Sequence, residues 1–545
     1  MAKIPLPIII VLIFAFISGF SLLHKGLPPT HDGEYHVVRF YEFDKVLKEG
    51  VVYPRWAPDL NFGYGVPLFN YNYPLPNYYA SFLHSFGISF IDAFKLNLFT
   101  ALLFAGLFFY LWAEVFFKKE GALIGAVFYT FSPYLFVDLY IRGSVGEVWA
   151  LALFPAFLWA VSQFIYKEKQ IFFPTSIVFL SLIIFSHNIL SFMFFPFALI
   201  YTFFIAFLSK KKIIHKTRSI ITIFLLALGI SAVFWIPAIF ESKYVVGLQI
   251  FDYKRNFPEV FQLLFPSWGS GFFGGGLGSE MSVQIGLANL LAVFLSIVVF
   301  IKSLKKKDLR FKLISFFLAS FFVIVFLMQR ISLPLWESIP FMNYFQFPWR
   351  FLSLTILICS FLAAAISSVI KRKVVFILMF FLPVVLALNY THPSYYMDRT
   401  DSYYTTRPNF IDGTNSIGNS FNTLWFNEKP VRVSSKIQAS KDVIISKISI
   451  KPSNYKFEVT VLNSSTITLN TAYFPGWEAK IDGKSSEVQR SKEGLITFYV
   501  PGGKHFIEVN FSDTPIRKAS SLLSIFSLIL IVTLFLKTWY SRERK

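Results

Sequence analysis

The chain has 545 residues, of which 55% are hydrophobic and 19% aromatic, and its mean hydropathy is +0.57. A soluble domain cannot bury so much apolar surface, so these values exclude a soluble globular protein and predict a polytopic α-helical membrane protein. The formal charge of +20 would suggest nucleic-acid binding in a soluble protein. In a membrane protein, Lys and Arg concentrate in the cytoplasmic loops, and this accounts for the positive charge. We therefore expect no nucleic-acid partner.

Twelve apolar segments predict about 12 transmembrane helices. They cover residues 5–23, 92–117, 121–138, 147–166, 171–187, 190–208, 218–240, 283–301, 312–329, 350–370, 374–390 and 518–537. Lys and Arg gather in every second connection, beginning with Lys118 and Lys119. Because positive residues stay on the cytoplasmic side, we expect both termini in the cytoplasm of a multi-pass cell-membrane protein, and the first loop, residues 24–91, outside it. The first segment is expected to remain as an anchor, since Pro28 and Pro29 follow it instead of a cleavage site.

Residues 28–36, at the edge of the first segment, crowd four ionisable groups together: His31, Asp32, Glu34 and His36. Charge at a membrane face is costly, so such a cluster is a functional hypothesis by default. Asp32 and His36 share one face of a helix that begins at Asp32, whereas Glu34 points elsewhere. The alternative is that Asp32 is only an N-cap and Glu34 only a first-turn acid that complements the helix dipole.

The rest of the first loop divides into a helix and an aromatic run. A helix is predicted over residues 34–49, because apolar residues recur at helical spacing while the charges fall mostly elsewhere, a pattern typical of a helix lying flat in the membrane interface. Residues 53–79 are rich in aromatic residues, Gly and Pro. We expect most of these aromatic side chains in the headgroup belt, and the alternative is a stacking surface for sugar.

Later connections carry further candidates. Arg142 and Glu147 lie near the predicted external face, and Arg350 ends another external loop. His187 lies in the short turn between the fifth and sixth segments. The Gly-rich stretch at residues 269–278 is not a phosphate loop, because no Lys-Ser/Thr follows it, and we interpret it as a flexible rim or lid. Each of these external loops could line one cavity with Asp32.

The chain changes character after residue 390, where alternating strands predict an external β-sandwich over residues 391–517. Strands are predicted at residues 443–450, 456–462 and 465–471, and hairpin turns at residues 482–483 and 501–503. The plan is therefore a transmembrane domain at residues 1–390, the β-domain, and a last transmembrane helix with a basic cytoplasmic tail at residues 518–545. The single cysteine, Cys359, excludes a disulfide framework or a cysteine metal site.

The order of these features resembles the GT-C glycosyltransferase superfamily, in which an acidic motif directly follows the first transmembrane helix. Five motifs resemble the YfhO-like membrane proteins and their relatives named 6-pyruvoyl-tetrahydropterin synthase-related, over nearly the whole chain. They are His31-Asp-Gly-Glu34-Tyr-His36, Arg142-Gly-Ser-Val-Gly-Glu147, Ser186-His187-Asn188, Gln346-Phe-Pro-Trp-Arg350 and Phe474-Pro-Gly-Trp477-Glu-Ala-Lys-Ile-Asp482-Gly. One departure weakens the transfer of roles: a Gly separates the two acids, which many GT-C enzymes place side by side. The pterin name implies no pterin chemistry, since no His-rich zinc site is present in the sequence.

The resemblance implies external transfer of a sugar from a polyprenyl-phosphate donor to a lipid, glycan or protein acceptor, with membrane lipids as surroundings. Such a reaction needs a base for the acceptor hydroxyl and cations for the leaving phosphate. Asp32 is the candidate base, and Glu34 would share the site or hold an acceptor hydroxyl or a metal. Arg350 is the first candidate for the phosphate and Arg142 the second. The remaining candidates for substrate binding are His31, His36, Glu147 and His187.

Structural alternatives stand beside each of these roles. Arg350 could simply snorkel at the start of its helix, Glu147 could pair with Arg142, and His187 could be a satisfied turn residue. No cofactor is required, and a divalent metal ion held by Asp32, Glu34 and His36 is left open, although their spacing matches no standard motif.

Two other functions remain open for the whole protein: a transporter or flippase of lipid-linked glycans, and a non-catalytic envelope assembly protein. Acids and Arg350 converging in one outward cavity would favour the enzyme, and a path open to both sides would favour transport.

Overall fold

The computed structural model of the chain describes residues 5–209, 213–247, 252–273, 280–305, 307–367, 372–427 and 431–543. Its α-helices are α1 (Leu6–Gly19), α2 (Gly33–Lys48), α3 (Leu75–His84), α4 (Phe90–Glu114), α5 (Lys119–Thr130), α6 (Pro133–Phe136), α7 (Val145–Ile165), α8 (Phe172–Ser186), α9 (Asn188–Leu208), α10 (Ile213–Ile230), α11 (Ala232–Phe240), α12 (Val260–Leu264), α13 (Leu287–Ser303), α14 (Leu309–Leu327), α15 (Leu333–Ser338), α16 (Leu352–Ser367), α17 (Lys373–Ala387), α18 (Asp401–Thr406), α19 (Pro408–Ile411) and α20 (Pro515–Glu543).

Apolar helices long enough to cross a membrane dominate the described chain and confirm a polytopic helical membrane protein. Eight helices meet the length and composition of a span, and ten do so if each of two bent pairs counts as one. The bent pairs are Lys119–Thr130 with Pro133–Arg142, and Lys216–Ile230 with Ala232–Phe240. Two further apolar helices, α8 and α13, are shorter, with 15 and 17 residues. All twelve predicted segments are therefore helical, while twelve crossings stay a prediction.

The most deeply buried of the long helices is α16, which lies in the centre of the bundle. All of its described residues are buried. The ring of Phe361 stacks on Phe317 of α14 at 4.0 Å and lies 4.6 Å from Trp112 of α4. Because α16 is buried on every side, packs against α5, α13 and α14, and contacts α4 through Trp112, it forms the core of the helix bundle.

Much of the first loop is covered by protein. Helix α2 buries two of its acids, Glu42 and Asp44, as well as its apolar stripe. In the aromatic run, Trp56, Tyr64 and Tyr71 are buried in the same apolar cluster as the C-terminal strands. The belt prediction is therefore wrong for these three side chains, because the β-domain packs over them.

The C-terminal strands form two antiparallel sheets around one apolar core, to which Trp56 also belongs. One sheet has the order β1-β4-β8-β7 and the other β2-β3-β9-β5-β6. The strands are β1 (Ile437–Gln438), β2 (Val443–Ile450), β3 (Asn454–Val461), β4 (Ser465–Ala472), β5 (Trp477–Ile481), β6 (Lys484–Ser486), β7 (Gln489–Arg490), β8 (Leu495–Val500) and β9 (Gly503–Phe511).

One predicted hairpin is confirmed and the other is wrong. Asp482 and Gly483 both have positive φ, at 50° and 80°, and turn β5 into the paired strand β6. Residues 501–503 do not close a hairpin, because β8 and β9 belong to different sheets. The Pro-Gly-Gly turn instead carries the chain from one sheet to the other.

Candidate functional site

The backbone around Asp32 is hydrogen-bonded to the segment that ends at Arg142. The amides of His31 and Asp32 donate hydrogen bonds to the carbonyls of Ile141 and Arg142, both at 2.9 Å. Gly143 has a φ of +64°, and a Cβ there would overlap the side chain of Thr30. Glycine at position 143 therefore lets two loops meet backbone to backbone, which fixes Asp32 beside Arg142.

Asp32 occupies the N-cap position of α2, but its side chain makes no capping bond. The hydroxyl of Thr30 takes that role and accepts a hydrogen bond from the amide of Gly33 at 3.1 Å. The Asp32 side chain is partly exposed, and its carboxylate accepts no hydrogen bond from the described residues. Burial raises the pKa of Asp32, against the opposing charges of Arg142, Arg39 and His31. A carboxylate with raised pKa and free oxygen atoms can accept a proton from a bound hydroxyl.

The structure does not bring Glu34 together with Asp32. Glu34 pairs with Arg399 at 3.2 Å, and this pair lies beside Tyr404 of α18. Burial raises the pKa of Glu34, and Arg399 opposes that rise. The expected divergence of the two acids around the helix is confirmed in the geometry, and Glu34 faces the segment that follows residue 390.

A buried ion cluster lies next to Asp32. Arg142 contacts Glu147 through both terminal nitrogens at 2.6 Å and Asp138 at 2.5 Å. Arg350 donates from Nε to Oε1 of Glu147 at 3.0 Å, and from Nη1 to the carbonyl of Phe345 at 2.8 Å. Two carboxyl groups and two guanidinium groups thus form one buried network of ion pairs and hydrogen bonds, centred on Glu147. The pairing of Glu147 with Arg142, left open by the sequence, is observed, and Arg350 shares the same carboxylate.

Two of the three candidate histidines, His187 and His36, are buried. Nδ1 of His187 accepts a hydrogen bond from the amide of Leu190 at 3.1 Å and so caps α9, while its Nε2 lies 3.7 Å from Glu147. Its ring lies 5.1 Å from that of Tyr73. His36 packs between Phe40 and Phe94, and burial lowers its pKa well below its usual value. His36 is therefore neutral, and its ring packs against aromatic side chains.

His31 connects the site to the described part of the Gly-rich stretch. Its Nε2 lies 2.9 Å from the carbonyl oxygen of Ser270, and its ring stacks on Phe272 at 4.3 Å. Phe273 lies 6.3 Å from Trp349. Residues 269–273 thus border the site, whereas residues 274–278, the rest of the predicted rim, lie outside the described residues.

The residues present do not fit a metal ion. No group of three His, Cys, Asp or Glu side chains in the described ranges is arranged to hold one. Asp32, Glu34 and His36, the set considered for a divalent metal, are separated because Glu34 turns to Arg399 and His36 packs among aromatic rings.

Sequence reasoning missed four members of this group: Arg39, Tyr73, Asp138 and Asn415. Arg39 follows Asp32 by seven residues, so the helical period places both on one face of α2 and was a usable signal. Asp138 is an acid inside an apolar segment, four residues before Arg142, which was also detectable. Tyr73 and Asn415 reach the site only through tertiary packing, and no spacing in the sequence indicates them.

Comparison with known proteins gives two family matches. A family described as 6-pyruvoyl-tetrahydropterin synthase related domain, a membrane protein, matches residues 69–395, and one described as bacterial membrane protein YfhO matches residues 418–524. An uncharacterized protein of Lactococcus lactis subsp. cremoris (strain MG1363) is 23% identical over 323 residues, 56% of this chain and 51% of that protein. The chain thus spans about half the length of this curated relative. No solved structure matches.

Proposed function

Because the chain belongs to the family of 6-pyruvoyl-tetrahydropterin synthase related membrane proteins, with a YfhO-like C-terminal part, we propose that it is a membrane glycosyltransferase. The suspected family is confirmed, and its members are membrane proteins. In the proposed reaction a sugar passes from a polyprenyl-phosphate donor to an acceptor outside the cytoplasm, which is a lipid, a glycan or a protein.

The observation that supports the proposal is that the carboxylate of Asp32 has no structural partner among the described residues. Its backbone is fixed by hydrogen bonds to residues 141–142, and its carboxylate has no hydrogen-bond partner among the described residues. It lies beside a buried cluster in which Arg142 and Arg350 already pair with Glu147. A carboxylate serving only the fold would cap its helix or pair with a cation. Asp32 does neither, and its raised pKa favours proton uptake.

The proposed chemistry assigns the chain three tasks. Asp32 removes the proton of the acceptor hydroxyl, whose oxygen bonds to the anomeric carbon of the sugar while the bond from that carbon to the phosphate oxygen breaks. Polyprenyl phosphate leaves with the bonding electron pair and needs a cation near its oxygens. The Arg142–Glu147–Arg350 cluster positions the Asp32 loop through the carbonyl of Arg142, and His187 supports Glu147.

The proposed side of the reaction is the outer face of the membrane. The positive connections predict both termini in the cytoplasm, and with an even number of crossings the Asp32 loop and the β-domain lie outside. Contacts of Arg39 with Asn415 and of Glu34 with Arg399 support a common side for the loop and the segment after residue 390.

Mass spectrometry of lipid-linked sugars and surface glycans tests the function in cells that carry the wild-type chain, no chain, or Asp32→Asn. We expect Asp32→Asn to lose the glycan product and accumulate the lipid-linked donor as fully as the deletion, with normal amounts of folded protein. The matched control is Asp398→Asn, at an exposed acid that pairs with Lys25. Glu34→Gln should have a smaller effect, since Glu34 faces Arg399. Unchanged product in Asp32→Asn cells would contradict the enzyme, and a donor trapped in the inner leaflet would identify a flippase instead.

A further inference from the structure

Arg39 is a cation of the site whose charge is not neutralised by the fold. It lies on the face of α2 that carries Asp32 and His36, at intervals of four and three residues. Its positive charge acts on Asp32, His36 and Tyr73: it opposes the rise that burial causes in the pKa of Asp32 and Tyr73, and it adds to the fall that burial causes in the pKa of His36. Arg39 is therefore close enough to the proposed base, Asp32, to interact with its charge.

The partners of Arg39 are neutral. Its Nε donates to Oδ1 of Asn415 at 2.7 Å, and its Nη2 donates to the carbonyl of Asn415 at 2.6 Å. Within the described ranges no carboxylate lies at ion-pair distance from Arg39, and its Nη1 has no hydrogen-bond partner. Arg142 and Arg350 differ, because both already pair with Glu147. Asn415 holds the Nε and Nη2 atoms of Arg39, and the Nη1 of Arg39 is available for another partner. A positively charged guanidinium group in this arrangement is suited to bind an anion.

Asn415 supplies a second, independent observation. Its side chain is 4% exposed, and its amide nitrogen Nδ2 is buried with no hydrogen-bond partner in the described chain. Buried polar groups normally have partners, so an unused donor beside an uncompensated guanidinium indicates a ligand with acceptor oxygens. The loop is rigidly attached: the carbonyl of Gly413 accepts from the amide of Asn61 at 2.6 Å, and Oδ1 of Asn419 accepts from the amide of Thr414 at 3.1 Å.

We propose that Arg39 and Asn415 bind the phosphate of a lipid-linked substrate next to Asp32. The inference rests on the proposed function for the identity of the lipid, and it moves the phosphate contact away from Arg350 and Arg142, which already pair with Glu147. The ligand is an isoprenyl phosphate: its anionic oxygens meet the free edge of Arg39 and Nδ2 of Asn415, and its chain lies in the bilayer.

Binding of farnesyl phosphate to the purified full chain in detergent tests the proposal, with farnesol and inorganic phosphate as reference probes. Asn415→Asp is the sharpest variant, because it keeps the Oδ1 acceptor for Arg39, neutralises the guanidinium and removes the Nδ2 donor. We expect it to weaken farnesyl phosphate binding roughly tenfold or more, the effect of losing a charge-assisted hydrogen bond. Arg39→Gln should weaken binding by at least as much, and farnesol should bind all variants equally.

Two controls separate this site from general effects and from the proposed function. Arg432→Gln removes a guanidinium that pairs with Asp412 and should leave binding unchanged. Asp32→Asn should bind farnesyl phosphate as tightly as wild type or more tightly, because it removes a nearby negative charge. Wild-type affinity in Asn415→Asp, or equal binding of inorganic phosphate and farnesyl phosphate, would overturn the proposal. If binding behaves as expected but cellular glycans do not respond to Asp32→Asn, the anion site stands and the glycosyltransferase does not.

Discussion

Glu42 is a carboxyl group that folding removes almost completely from water. It is fully buried on α2; its Oε2 accepts from the amide of Asp59 at 3.1 Å, and its Oε1 has no partner in the described chain. The neighbouring cation Lys45 already pairs with Asp59 at 2.5 Å. Burial, reinforced by the negative charge of Asp59, raises the pKa of Glu42 to about 8.

This shift predicts a pH dependence of stability. The folded state holds the Glu42 proton up to about pH 8, whereas an unfolded glutamate releases it near 4.5, so stability is lost as the pH rises between these values. Glu42→Gln keeps the acceptor and removes the titration. We expect the Tm of the purified wild-type chain to fall between about pH 5 and about pH 9 by clearly more than that of the variant. Parallel Tm curves for the two proteins would show that Glu42 stays ionised.

At the scale of elements, the Phe474-Pro-Gly-Trp477 motif joins α11, α20 and β5. Gly476 has a φ of +115°, and a Cβ there would overlap the carbonyl of Ser512 and crowd the guanidinium of Arg517. Arg517, which is fully buried, donates from Nε to Glu241 at 2.9 Å, and Glu241 also accepts from Thr514 at 2.7 Å. The motif is therefore a structural junction between the last helix and the strands.

Removing the carboxylate from this junction should be costly. Glu241→Gln leaves the charge of Arg517 without its buried carboxylate partner, and breaking one side of a buried pair costs about 3 to 5 kcal/mol. We expect a large fall in Tm in detergent and lower amounts of folded protein. The control is Glu337→Gln, at the exposed partner of Lys254, which should leave Tm unchanged. Equal Tm values for the two variants would contradict the role of the junction.

Sequence patterns predicted the helices and strands better than the tertiary contacts between them. Hydropathy located all twelve helical segments, since each segment carries its own signal, and alternation located β2, β3 and β4. The pairing of Arg142 with Glu147 was one of the stated alternatives because the two residues are close in the chain. The burial of Trp56 and the contact of Arg39 with Asn415 were not predictable, because both depend on residues hundreds of positions away.

At the scale of the whole molecule, the proposed reaction requires Asp32 to face the outside of the cell. The chain is suited to cysteine labelling, since its one cysteine, Cys359, is buried in α16 and can be replaced by alanine. Asp32→Cys then reports the exposure of the site. Lys305→Cys, in a positive connection that we expect in the cytoplasm, is the matched control at an exposed position.

A membrane-impermeant maleimide applied to intact cells measures the side on which Asp32 lies and whether its position is open. We expect the Asp32→Cys variant to be labelled without permeabilisation, with farnesyl phosphate slowing the reaction, and the Lys305→Cys variant to be labelled only after permeabilisation. Labelling of Asp32→Cys only after permeabilisation would place the proposed base on the cytoplasmic side, and no labelling under either condition would show that its position is sealed; either result contradicts the proposed glycosyl transfer.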